Sequence, residues 1–178
     1  MQISDFDHFK LTPVDAAYPA NFRTFYSPYD HVHEMLAYAL KNVQQSLVIS
    51  MFGYDDDELA ELVDNHLKNP LIYVQITLDK SQAGGVHEKA LLEKYKNEME
   101  GNSVAIGTSE HGAIIHRKMV VIDGIWRITG STNWSLSGEQ QQDNEATVTY
   151  DATASAEARH MLDLSHTKAL KDMLKRKI

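Results

Sequence analysis

The run Leu71-Ile-Tyr-Val-Gln-Ile-Thr-Leu78 constrains this chain more than any other stretch. It is apolar and β-branched along most of its length, so the strand it forms has no face to give to water and must be covered on both sides. The flanking sequence supplies the cover. Asp55-Asp-Asp-Glu58 opens a helical pattern with Leu59, Leu62, Val63 and Leu67 on one face, and Pro70 stops it. Ser46 to Phe52 reads as a second strand ending at Gly53, preceded by a helix with Asp30 as N-cap and Val32, Leu36, Leu40 and Val43 at helical spacing. Phe22 to Tyr26 is a short strand closed by Ser27-Pro28. After the hinge Gly84-Gly85 a charged helix is expected over 86–100, then a strand-rich segment from Ser103 to Tyr150 and a closing helix from about Ala154 to Lys177. The first 20 residues carry Pro13 and Pro19 and no period, and read as an irregular arm. The expectation is an α/β sandwich, a mixed β-sheet flanked by helices, in a single domain over 21–178 with the arm 1–20 before it.

Composition narrows the function. The chain has no cysteine, which excludes disulfides, Cys-based zinc sites, iron–sulfur clusters and thiol nucleophiles. Its net charge of −8 argues against charge-driven binding to nucleic acid over the whole surface, though not against a local basic patch. No apolar run approaches the ~20 residues of a membrane span, and the N-terminus has neither a basic nor an apolar leader region. A cytoplasmic chain is expected, with export left open for one whose leader has been removed.

The chemistry concentrates between Ile114 and Trp134. Asp123-Gly124 between two apolar runs predicts a β-hairpin, and a two-residue loop there sets Lys118 opposite Thr129 and His116 opposite Ser131. Residues two apart on a strand share a face, so His116, Lys118, Ser131 and Asn133 converge while Asp123 stays in the turn, bonded to its own backbone. An ammonium with hydroxyl and amide donors suits an anion with several oxygens, such as a phosphate. A neutral imidazole beside them suits a nucleophile or proton carrier.

His116-x-Lys118, Asp123 and Gly130-Ser131-x-Asn133, at these spacings, resemble the signature of the phospholipase D superfamily. Phe25-Tyr-Ser-Pro28 and Leu78-Asp-Lys-Ser81 resemble the stretches preceding that signature in its short, single-motif bacterial endonucleases. The resemblance implies a phospholipase D-like sandwich and metal-independent hydrolysis of a phosphodiester in two steps. His116 attacks phosphorus and forms a phosphohistidine, Lys118 and Asn133 with Ser131 hold the non-bridging oxygens, and Glu145, with Asp143 as a rival, orients the histidine. Asp123 and Gly130 are structural.

One motif per chain implies a homodimer in which two copies of His116 face each other, one as nucleophile and one as general acid. His111, in a Gly-flanked turn, is a weak in-chain substitute. The expected substrate is nucleic acid, DNA before RNA, and no membrane. Lys80 and Arg117 are expected to bind it, with Lys118 and Arg127 adding charge near the cleft. Lys168, Lys171, Lys175, Arg176 and Lys177 read first as cations favoured at a helix C-terminus. Trp134 reads as core before base stacking.

No cofactor or metal is expected. The acidic run 55–58 reads as a helix cap, His33-Glu34 and His87-Glu88 lack the second histidine of a zinc-protease helix, and no phosphate-binding glycine loop occurs. Two alternatives remain: a phospholipase or phosphatidyl transferase using the same chemistry on lipid head groups, and a silent nucleic-acid-binding module on the same fold.

Overall fold

In the computed structural model, which describes residues 1–11, 13–82, 84–86, 89–90 and 103–175, the constraining run forms β3 (Tyr73–Asp79), buried from Val74 onward. Two parallel neighbours flank it, β2 (Ser46–Met51) on one side and β4 (Ser103–Gly107) on the other. A hairpin of β5 (Lys118–Ile122) and β6 (Trp126–Gly130) joins β2 antiparallel, and β7 (Asn144–Tyr150) and β1 (Phe22–Ser27) extend the sheet antiparallel from there. The order among the described residues is β1-β7-β6-β5-β2-β3-β4.

The covering helices divide by face. Helices α1 (Val32–Lys41) and α2 (Asp57–Leu67) lie on one side, where Leu36, Leu40, Leu59 and Val63 join Leu47, Ile49, Ile76 and Ile122 in the main core. A short helix α3 (Leu136–Gln140) follows the hairpin, and α4 (Ala152–Lys175) crosses the opposite face. There Ala158 and Leu162 pack on Val48 and Val121. The α4 face is partly polar. Gln75 donates to Asp163 at 2.9 Å, and His166 bonds Thr77 Oγ1 at 2.8 Å and Ser103 Oγ at 2.6 Å. The mixed α/β sandwich and its strand sequence agree with the sequence reading.

Two local expectations are corrected. Residues Ile3–Phe9 form a 3-10 helix whose Phe6 is fully buried, with ring centroids 5.4 Å from Tyr38 and 5.6 Å from Trp126. Phe9, 5.5 Å from Tyr38, and the Asp7–Arg23 ion pair at 2.6 Å add to that seat, so individual contacts rather than a repeating pattern hold the segment. Helix α1 is capped at His31 instead of Asp30. The buried Asp30 carboxylate instead accepts the N–H groups of Leu11 and Tyr26, at 2.9 Å each, and pairs with Lys10. The helix expected over 86–100 lies largely outside the described residues, as do Arg176 and Lys177.

Candidate active site

The C-terminal ends of β2, β3, β4 and β6 and the N-terminal ends of β5 and β7 meet at one rim of the sheet. Ligands of open α/β sheets bind outside the carboxyl ends of parallel strands, and the motif residues gather here. Asp79, 1% exposed at the end of β3, accepts the Ile115 N–H at 2.5 Å and pins the extended segment leading into β5. Ile115 turns inward, so the next side chain, His116, faces solvent. Its imidazole stands edge-on to Phe52, centroids 4.9 Å apart.

Lys118 opens β5 and is buried. Its ammonium donates to the His116 carbonyl oxygen at 3.0 Å and sits 5.0 Å from the Phe52 ring centroid. Among the described residues no carboxylate pairs with it, and burial lowers its pKa from the ordinary 10.5. Phe52 thus lies against both motif residues. Sequence reasoning passed over it, and the signal available was an aromatic residue just before the strand-ending Gly53.

The hairpin differs from expectation. Asp123 and Gly124 have φ of 52° and 69°, as a tight hairpin turn demands, but Ile125 joins the loop and its N–H closes on the Ile122 carbonyl oxygen. The pairs are therefore Met119 with Thr129 and Ile122 with Trp126. Continued past its last pair, that register sets Lys118 level with Gly130 and His116 level with Thr132, one residue from the expected partners Thr129 and Ser131. The face of Lys118 thus meets Gly130 and Thr132 rather than Ser131 and Asn133.

Asn133 reaches the rim by another route. Past β6 the chain pairs in parallel with the segment after β2. Asn133 Oδ1 accepts the Gly53 N–H at 3.1 Å, the Trp134 N–H donates to Gly53 O at 3.0 Å, and the Asp55 N–H donates to Trp134 O at 2.7 Å. A Cβ on Gly53 would come within 3.1 Å of the Asn133 side chain, so any larger residue there would have to push that amide aside by a few tenths of an ångström. Trp134 is 2% exposed against Tyr54 and belongs to the core, as read.

Ser131 is exposed and engaged locally, donating to Asn144 Oδ1 at 2.9 Å and accepting the Glu145 N–H at 3.1 Å. Gly130 permits this crossing, since a Cβ there would lie 2.1 Å from the Glu145 carbonyl oxygen. Thr132, not anticipated, is buried and donates to that same oxygen at 3.0 Å. Lys118, Gly130, Thr132 and Glu145 border one cavity of about 10 Å³. The Glu145 side chain is exposed, and neither it nor Asp143 hydrogen-bonds to His116 among the described residues.

Asp123 is structural in a way the turn did not suggest. Rather than its own backbone it holds the α1–β2 loop, with Oδ1 accepting the N–H groups of Gln45 at 2.8 Å and Ser46 at 3.0 Å. Lys80 is exposed in the turn after β3. Arg117 points to the α4 face and donates to Ser165 Oγ. Arg127 pairs in register with Val121 and Thr149, inside the sheet and away from the rim. Lys168, Lys171 and Lys175 line a groove of about 1230 Å³ that also takes in His116, Arg117 and His111.

The family model described as cardiolipin synthase, PLD-like domain, matches residues 36–164. Comparison with curated proteins finds no match. Among solved structures, Nuc from Salmonella typhimurium, a phospholipase D family member, is 17% identical, with 83% of this chain and 94% of that one covered at a TM-score of 0.69. NucT from Helicobacter pylori is 18% identical, with 83% and 96% covered at 0.68. The phosphatidylserine synthase of Haemophilus influenzae is 14% identical, with 82% and 39% covered at 0.64. At these identities the likenesses establish the fold.

Proposed function

The chain belongs to the phospholipase D-like domain family, and we propose that it is a phosphodiesterase that cleaves nucleic-acid backbones as an endonuclease, through a phosphohistidine and without a catalytic metal. The single observation that carries this reading is the buried ammonium of Lys118, which no carboxylate balances among the described residues. A desolvated, unpaired charge is costly, and an arriving phosphoryl anion would offset that cost at the point where negative charge builds.

His116, exposed beside it, attacks phosphorus, and the P–O bond to the leaving group breaks as the P–N bond forms. The departing alkoxide takes a proton from a second His116, supplied by another copy of the chain. Water then attacks the phosphohistidine, the P–N bond breaks and the imidazole is released. Lys118 and Asn133 stabilise the non-bridging oxygens, Ser131 assists, and Glu145 orients a histidine once substrate or partner has closed the rim. The groove bearing Lys168, Lys171 and Lys175 supports a polyanion running past His116, with Lys80 and Arg117 at its margin.

A phospholipid draws on different groups in the same groove, the exposed Ile114, Met161 and Leu164. Supercoiled plasmid and phosphatidylcholine vesicles, each incubated with the protein in EDTA, separate the two substrates. Plasmid nicking that His116→Ala abolishes without unfolding the protein is the expected result. Choline release with intact plasmid would move the assignment to lipid. Loss of all cleavage on chelation with the Tm unchanged would overturn the metal-free chemistry.

A further inference from the structure

Behind the rim, three elements bring a histidine and three carboxylates together. His33 lies in the first turn of α1, Asp56 caps α2, Glu58 sits in its first turn, and Glu139 belongs to α3. His33 Nδ1 is 2.6 Å from Glu139 Oε2 and 3.4 Å from Asp56 Oδ2, while its Nε2 is 3.0 Å from Glu58 Oε2. The sequence hides this group, since its members are up to 106 positions apart and the acidic run reads as a cap. It is a cap: Asp56 Oδ1 accepts the Leu59 N–H at 2.8 Å, which leaves Oδ2 free to face His33.

Glu139 is the independent sign that something more belongs here. Its side chain is 0% exposed, and Oε1 has no hydrogen-bond partner. The Ser135 N–H lies near enough to favour the ionised Glu139 carboxylate, but it donates to the Asn133 carbonyl oxygen at 3.0 Å and leaves Oε1 unsatisfied. A buried carboxylate oxygen without a partner is costly and rare in a folded chain. Once an ion displaces the proton shared between His33 and Glu139, two inner carboxylates and a neutral imidazole present a charge of −2, which one divalent cation balances.

We infer that His33, Asp56 and Glu139 form a binding site for a first-row divalent cation, Zn²⁺ before Mn²⁺, that clamps α1, α2 and α3 behind the active site. One ligand atom from each lies within 4.8 Å of the others. Metal–donor bonds of about 2.1 Å at tetrahedral angles set donors about 3.4 Å apart. The His33–Asp56 separation of 3.4 Å already matches, and the His33–Glu139 contact opens as the ion enters. Oε1 of Glu139 supplies a fourth donor through bidentate binding. Glu58 accepts the hydrogen bond of the His33 Nε2–H at 3.0 Å and so fixes the tautomer that presents the Nδ1 lone pair, the usual outer carboxylate of a histidine ligand. The mixed nitrogen and oxygen donors suit Zn²⁺ and Mn²⁺ and would not select a thiophilic ion.

The ion is structural. Asp56 follows directly on the segment 53–55 that pairs with 133–134, and Glu139 lies one short turn beyond it. The clamp therefore stiffens the ladder that holds Asn133 while standing outside the reaction.

Full-length protein stripped with EDTA and desalted is titrated with ZnCl₂ and MnCl₂ by calorimetry, and its Tm is followed. One Zn²⁺ per chain is expected, with Tm raised by about 5–10 °C at a 100-fold excess over Kd. Co²⁺ bound to the wild-type protein is expected to give visible d–d absorption. Glu139→Gln and Asp56→Asn, the latter keeping the cap oxygen, should each weaken Zn²⁺ at least 10-fold with unchanged far-UV circular dichroism. No stoichiometric binding of Zn²⁺ or Mn²⁺ would overturn the site. So would Zn²⁺ affinity unchanged in both variants, which would assign the ion to surface histidines.

Discussion

Lys118 is held where a charge is expensive, and its replacement separates stability from activity. Lys118→Met keeps an apolar stem of similar length and removes the desolvated ammonium above the Phe52 ring. It is expected to leave Tm unchanged or raised, by about 1 kcal/mol of stability, while the cleavage rate falls by about 10²–10³. Thermal unfolding and initial rates on the same preparation check both halves, and a parallel loss of stability and rate would mark Lys118 as a packing residue. Asp123→Ala should behave in the opposite way. It deletes the carboxylate that accepts from residues 44–46 and puts alanine at φ 52°, costing about 2–3 kcal/mol, read as a lower urea midpoint with the chemical step intact in the folded fraction. The motif residues could be read from the sequence because their chemistry and spacing are local. Thr132 could not, and Phe52 only by its place before Gly53, because what they contribute is contact with residues on other strands.

Elements were readable where the hydrophobic period was strong. The buried strands β2 and β3, helices α1 and α2 and the closing α4 declared themselves by apolar spacing. The hairpin was anticipated and its register was not, since Ile125 joins the loop for a reason of backbone geometry that composition does not carry. That one residue moves every cross-strand partner, and convergence at the rim then depends on the parallel ladder of 53–55 with 133–134, which no sequence pattern announces. Helix α4 brings its own pH dependence. Burial beneath it pushes His166 down to about 4, with Asp163 opposing and Arg159 adding to the shift. The unfolded chain takes up that proton near 6.5 and the folded chain only near 4. The unfolded state therefore binds more protons between those values, and stability present above pH 6.5 is lost as the pH falls towards 4, by about 3 kcal/mol. Urea unfolding at pH 7.5 and pH 5 should show the loss, and His166→Gln should flatten it.

For the whole molecule, charge and symmetry set the terms. The net charge of −8 repels a polyanion at a distance, so on the proposed nuclease reading capture would rest on the groove cations and should weaken steeply with salt. Lys171→Gln combined with Lys175→Gln is expected to reduce the log–log salt slope for plasmid binding by about 2. Hydrolysis of a small bis-aryl phosphate, too short to reach α4, should be unchanged. If the proton donor is a second His116, sedimentation should give twice the 20.1 kDa chain mass, and an active monomer would remove the shared site. The orientation of the sheet has a practical consequence. Because the motif residues crowd one border, Leu71, 84% exposed ahead of β3, stands off by a strand of seven residues, about 23 Å. A fluorophore or surface tether grafted there would ride on the far shore of the molecule, leaving the path of an incoming backbone clear.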